Sequence, residues 1–125
     1  MHELAIINDM IALAETELSR IGAVDKVNTI TIRVGCLSGA SPEALRFAFD
    51  VVVLSTRFCG ARLVILQPRI TCRCRTCGRA HEAMELLFQC PSCGGCEVEI
   101  EGGRDLCLES IEVQELSRVD QWKSL

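Results

Sequence analysis

Apolar positions recur at helical spacing over residues 3–21, where Ile7, Met10, Ile11, Ala14, Leu18 and Ile21 share one stripe. Glu15, Glu17 and Arg20 fall between them, and Gly22 supplies a stop. The spacing predicts an amphipathic helix that begins almost at the first residue. Residues 26–34 are rich in β-branched side chains and read as a strand. Ile30, Ile32 and Val34 share one face of it, while Val27 is out of phase, so a bulge or a late strand start is expected. A turn rich in Gly and Ser spans 35–40. Ser41 is then placed to cap a second helix, with Pro42 at its first position and Glu43 behind. Leu45, Ala48, Phe49, Val52 and Val53 form its core face. Residues 55–60 connect to the run Leu63, Val64, Ile65 and Leu66, which predicts a strand covered on both faces or lying at a sheet centre. Pro68 ends it.

Residues 69–101 break the pattern and carry most of the cysteines, with short strands expected at 85–89 and 97–101. Gly102 and Gly103 mark the exit. A last strand is expected over about 106–116, with Cys107, Ile111 and Val113 in one phase and Glu109 interrupting that face. The tail is polar apart from Val119, Trp122 and Leu125, and Trp122 is a candidate to dock on the body or on a partner. The predicted order is helix, strand, helix, strand, cysteine module, strand. This is an α+β architecture, with two helices packed on a small three-stranded sheet and an inserted zinc-ribbon-like module. The expected division is an α+β domain at 1–68 and 102–125 and a zinc-binding module at 69–101.

The chain holds 9 cysteines in 125 residues, which calls for a chemical reason. Cys36, Cys59 and Cys107 are scattered and read as small packing residues. Cys72, Cys74, Cys77, Cys90, Cys93 and Cys96 are clustered. Within them stand Cys74-Arg-Thr-Cys77 and Cys90-Pro-Ser-Cys93. Each Cys-x-x-Cys turn aims two thiolates at one cation, and two such turns brought together complete a tetrahedral structural Zn(II) site. Gly78 and Gly94 follow the second cysteine of each pair, where such turns need a positive φ. Cys72, Cys96 and His81 lie close enough to permit other ligand sets; for His81 a solvated loop position is the favoured reading. No basic, apolar-cored leader is visible and the apolar runs are too short to span a bilayer, so the expected location is the cytoplasm, without membrane contact. With 13 basic against 17 acidic residues and only 4% aromatics, a whole-molecule grip on nucleic acid is disfavoured.

At the other end, Met1, His2 and Glu3 offer a primary amine, an imidazole and backbone amides. These are nitrogen donors, suited in one plane to Ni(II) or Cu(II). The plainer reading is an exposed histidine at a helix end, with Glu3 as an acidic residue favoured in a first turn.

Taken together, Met1-His2-Glu3-Leu4, the stretch Val34-Gly35, Leu37-Ser38 and Pro42-Glu43-Ala44-Leu45-Arg46-Phe47-Ala48-Phe49, the two cysteine pairs with Pro91 and Gly94, Gly103-Arg104-Asp105-Leu106 and Ser110-Ile111-Glu112-Val113 resemble the HypA/HybF family, nickel metallochaperones of nickel–iron hydrogenase maturation. The resemblance runs in order over almost the whole chain. It implies a transferable Ni(II) bound through His2, with the Met1 amine and the backbone amides of His2 and Glu3 as co-ligands. It also implies a structural Zn(II) on Cys74, Cys77, Cys90 and Cys93. The implied partners are the GTPase of the maturation pathway and the hydrogenase large-subunit precursor; in some organisms the family also serves urease. Cys72 and Cys96 depart from the family pattern, Cys96 where Ser is usual, and Asp105 stands for an expected Glu.

Two other classes compete with this reading. A zinc-ribbon nucleic-acid binder or adaptor draws on Arg69, Arg73, Arg75 and Arg79, which equally compensate a negative zinc–thiolate centre. An enzyme is not expected: His2 and His81 are the only histidines, neither has a neighbouring nucleophile, and four thiolates leave zinc no open position. A thiol redox switch on the cysteine module is compatible with the carrier reading.

Overall fold

The computed structural model describes residues 2–23 and 25–114, together with the backbone of 121–122. The first helix, α1 (His2–Arg20), buries Ile7, Met10, Ile11, Ala14 and Leu18, the predicted stripe without Ile21. It ends because the Gly22 amide turns back to Ser19 O at 3.1 Å and the Ala23 amide to Leu18 O at 2.9 Å. The first strand, β1 (Val27–Val34), pairs on both sides. Val27 is buried although out of phase, because the register shifts between Val27 and Thr29, leaving Asn28 as a bulge.

Helix α2 (Pro42–Val52) starts as predicted. Ser41 is its cap, and the Ser41 hydroxyl accepts from the Ala44 amide at 3.2 Å. Leu45, Ala48 and Phe49 are buried under it. The loop after α2 does more than connect: Phe58 is among the largest fully buried side chains. Next to it, Arg57 holds both Glu15 carboxylate oxygens at 3.0 and 2.7 Å and the Ala23 carbonyl at 2.5 Å, pinning the loop to α1.

Strand β2 (Arg62–Leu66) pairs in parallel with β1, Ile30 opposite Leu63. It lies at the sheet edge, not its centre: the order is β2-β1-β6-β7, with β6 (Leu106–Val113) and β7 (Gln121–Trp122) antiparallel to their neighbours. A continuous apolar run does not separate a central strand from an edge strand lying under a helix. Leu63 alone is buried, and the Arg46 guanidinium on α2 donates to its carbonyl at 2.7 Å. The expected three strands thus gain a short fourth. The backbone of 121–122 pairs with Glu112 and Ile111, whereas the Trp122 side chain, Val119 and Leu125 lie outside the described residues. In β6 the inward set is Leu108, Ile111 and Val113, replacing the expected Cys107. The register shifts where Thr31 faces Ser110 and Ile32 faces Leu108, so Glu109 is an extra residue that reverses the phase.

The remaining strands form a second sheet in the order β4-β3-β5. They are β3 (Ile70–Cys74), β4 (Ala80–Ala83) and β5 (Val98–Glu101). The last matches expectation. The strand expected at 85–89 is instead a loop, because the chain pairs back on β3 immediately after the first cysteine turn. The passage from β5 to the first sheet, at Gly103, packs against the start of β3 and against Gly35 in the loop after β1. A Cβ on Gly35 would lie 2.2 Å from Gly103 O, and one on Gly103 (φ +91°) would lie 2.6 Å from Ile70 Cγ2. The Leu37 amide donates to Gly103 O at 2.6 Å across this crossing.

Candidate metal centre

The hydrophobic core of the body contains no residue between 66 and 107. Over residues 69–101 the buried side chains are Ile70, Cys72, Cys74 and Cys90, too few apolar groups to hold the second sheet together. What gathers there is sulfur. Cys74 ends β3, and residues 74–79 form a tight turn closed by Cys74 N–H to Arg79 O (2.9 Å) and Gly78 N–H to Cys74 O (2.9 Å). The second turn repeats it: Cys90 N–H to Gly95 O at 2.8 Å and Gly94 N–H to Cys90 O at 2.9 Å. Gly78 and Gly94 take φ values of 78° and 77°, the left-handed conformation predicted at these positions. Gly95, a further constrained glycine not expected from the turn pattern, is held in close contact: a Cβ there would sit 2.9 Å from Thr76 Oγ1 and 3.3 Å from Cys93 Sγ. A second glycine after the Cys-x-x-Cys pair was the available signal.

The two turns bring Cys74, Cys77, Cys90 and Cys93 together with all four sulfurs within 4.8 Å of one another. Cys74 Sγ lies 3.5 Å from Cys93 Sγ, and Cys77 Sγ 3.7 Å from Cys90 Sγ. Zn–S bonds of about 2.3 Å in a tetrahedron place sulfurs about 3.8 Å apart, so the cluster has the dimensions zinc needs. Backbone amides also point at sulfur: Cys77 N at 3.5 Å from Cys74 Sγ, Ser92 N at 3.4 Å from Cys90 Sγ, and Gly95 N at 3.3 Å from Cys93 Sγ. The Cys77 amide is the main reason the Cys74 thiol falls to about 6, and the Cys93 amide the main reason Cys90 falls. Cys93 goes the other way, to about 12: the Gly95 amide favours its thiolate, but the crowding sulfurs of Cys74, Cys77 and Cys90 and its desolvation outweigh that. Four thiolates so close repel one another unless a dication sits among them. The donor set therefore suits Zn(II).

Neighbouring candidates fall outside the four. The Nε2 atom of His81 lies 3.2 Å from the Ser92 hydroxyl, so the imidazole braces the second turn from β4. Cys72 is buried on the same strand face as Cys74, and Cys96 is exposed. Of the four arginines, Arg73 on β3 and Arg75 just beyond it pair with Glu101 and Glu99 on β5 at 3.4 and 3.0 Å, which withdraws charge from a nucleic-acid surface.

At the amino terminus, His2 is the first residue of α1 and is exposed. Its Nδ1 lies 4.0 Å from Glu3 Oε1. The other Glu3 oxygen accepts from the Ser41 amide at 3.2 Å, and that bond is the main reason the carboxyl titrates below its usual range. Both helices thus begin at the same place, joined by Glu3 and the α2 cap. This partnership has no local sequence signal, since 38 positions separate the two residues. Met1 lies outside the described residues. Among the described residues the four cysteines are the one group of three or more ligating side chains, and no helix is long and apolar enough to cross a membrane.

A helical pair on a mixed sheet, carrying a four-cysteine ribbon between its strands, defines a small metal-handling α+β protein. Residues 1–113 match the family model described as HypA, hydrogenase/urease nickel incorporation, metallochaperone. The chain is 36% identical to hydrogenase maturation factor HypA 2 of Bradyrhizobium diazoefficiens, over 90% of this chain and 99% of that one. It is 37% identical to hydrogenase maturation factor HypA of Picosynechococcus, again over 90% and 99%. The fold aligns with the solution structure of the Ni metallochaperone HypA from Helicobacter pylori, with a TM-score of 0.59, 22% identity, and coverage of 89% and 96%. The chain belongs to the HypA family of nickel-incorporation metallochaperones.

Proposed function

We propose that this protein carries Ni(II) on the nitrogen atoms of its amino terminus and delivers it during maturation of a nickel–iron hydrogenase. The observation that carries this reading is the exposed His2 imidazole at the open end of α1, in a chain of a nickel-incorporation family. The donors would be the Met1 amine, the His2 imidazole and the backbone amides of His2 and Glu3. The first amides of a helix have no intrahelical carbonyl to bind, so they are available for other chemistry. The positive ends of two helix dipoles meet here, and each disfavours a cation by about 0.3–1 kcal/mol when exposed. The Glu3 carboxylate, anchored by the Ser41 amide, supplies opposing charge, as do amides that lose their protons to the metal. An exposed site of this kind can pass its cargo to a partner without unfolding. The partners in this reading are the GTPase of the pathway and the hydrogenase large-subunit precursor.

Cys74, Cys77, Cys90 and Cys93 would hold a structural Zn(II), which ties the two turns of the second sheet and supplies no chemistry to the cargo site. The division into an α+β body at 1–68 and 102–125 and a zinc module at 69–101 follows from this reading.

Nickel titration of protein with its native amino terminus tests the proposal. His2→Ala and a version extended before Met1 should each bind nickel far more weakly, with zinc content unchanged. Unaltered affinity in both would remove the amino terminus from the mechanism.

A further inference from the structure

Between the first turn of α1 and one side of α2 a cavity of about 190 Å³ opens at the surface, lined by Glu3, Leu4, Ala44, Phe47, Ala48 and Val51. Apart from Glu3 its wall is apolar. Beside it the surface stays apolar: Phe47 is 72% exposed, Leu54 69% and Val51 50%. Ala44, Phe47, Val51 and Leu54 recur at three- and four-residue steps, so they form a stripe along α2 and its C-terminal turn. The same helix already buries Leu45 and Phe49 against the sheet, so this is a second apolar face, and nothing within the described fold covers it.

The rim has a definite charge. Glu43 and Asp50 are exposed on α2, and Glu3 stands at the mouth. The basic residue of this stretch, Arg46, turns its guanidinium to the Leu63 carbonyl. Apolar floor and carboxylate rim together call for an occupant with the opposite pattern. A second copy of this chain would bring Glu43 and Asp50 against their own counterparts, a like-charge arrangement that opposes self-pairing.

We propose that this groove is a docking site for a partner-protein segment that inserts a Leu- or Phe-sized side chain flanked by Lys or Arg. Such a segment lays its apolar face on the Phe47 and Val51 stripe and its cations on Glu43 and Asp50. Phe47 is the anchor of the contact, since large aromatic side chains dominate such surfaces. The inference goes beyond nickel carriage and does not depend on it.

The test uses the full chain, zinc-loaded and nickel-free, so its failure would leave the amino-terminal nickel reading standing, and failure of nickel binding would leave the groove standing. The probe is a fluorescent synthetic amphipathic helix of Leu, Ala and Lys, compared with its counterpart carrying Glu for Lys. The Lys peptide should bind, weaken with added salt, and shift the NMR signals of Leu4, Phe47 and Val51. Phe47→Ser should weaken it about tenfold. Glu43→Lys combined with Asp50→Lys should reverse the preference toward the Glu peptide. All three side chains are exposed, and an unchanged circular dichroism spectrum would verify that the variants fold. Equal binding of the two peptides, no binding of either, or shifts confined to another surface would overturn the proposal. So would a concentration-dependent dimer abolished by Phe47→Ser, which would make the occupant a second copy.

Discussion

Glu3 shows how one side chain changes meaning between a linear and a folded description. Alone it is a favourable charge in a first helical turn. Folded, it accepts a hydrogen bond from Ser41 and joins the starts of two helices. Because its carboxyl titrates below the ordinary value of 4.5, the unfolded chain takes up the proton first as pH falls. The clasp therefore contributes fully above the ordinary carboxylate range and is lost as pH falls through the lower folded value. Acid unfolding of Glu3→Gln should show a flatter pH dependence there than the parent protein. The cysteines obey the same linkage in a different range. With Cys74 at about 6, its thiolate is available at neutral pH, whereas Cys93 at about 12 must surrender a proton to a metal. Zinc binding should release protons at pH 7 and weaken steeply below about pH 6, which competition with a coloured chelator across pH would measure.

The secondary elements divide into those set by their own residues and those set by a neighbour. The start of α2 and the stop of α1 rest on local signals: Ser41 with Pro42 at the one, Gly22 at the other. Strand β6 does not, because its phase is reversed by the Glu109 bulge opposite β1. Leu108→Ala should therefore cost about 2–5 kcal/mol in denaturant unfolding, while Cys107→Ala should cost less than about 1.5 kcal/mol. Equal effects would contradict the bulge. The second sheet depends on its sulfurs in place of a core. Chelation, or Cys74→Ser, should abolish binding at the four-sulfur cluster and expose the amides of β3 and β5 to hydrogen exchange, with those of β1 and β6 remaining protected.

Across the whole molecule, the two sheets meet where Gly35 and Gly103 pass within van der Waals reach. No side chain fits at either place, since one would press on backbone and the other on Ile70 and Leu37. Gly103 also holds a φ of +91°. Gly35→Ala and Gly103→Ala should each lower stability by about 1–3 kcal/mol in thermal melting, without impairing metal binding at the four-cysteine cluster. The loop crossing there leads directly from β1 to the Ser41 cap, and so to Glu3. The short loop after β1 thus touches both the passage between the sheets and the start of the two helices.

Much of this protein is legible from local pattern, because the physics involved is local. A stripe at helical spacing, a Ser-Pro helix start and a Cys-x-x-Cys turn each constrain only a handful of consecutive residues. The four sulfurs, both helices and the interruption of the sheet by the cysteine ribbon were readable on those terms. The edge position of β2, the reversed phase of β6, the burial of Phe58 and the Glu3–Ser41 clasp were not. Each depends on which distant backbone lies alongside, and pairing across a sheet is settled by the packing of the whole core, where one inserted residue exchanges inside for outside.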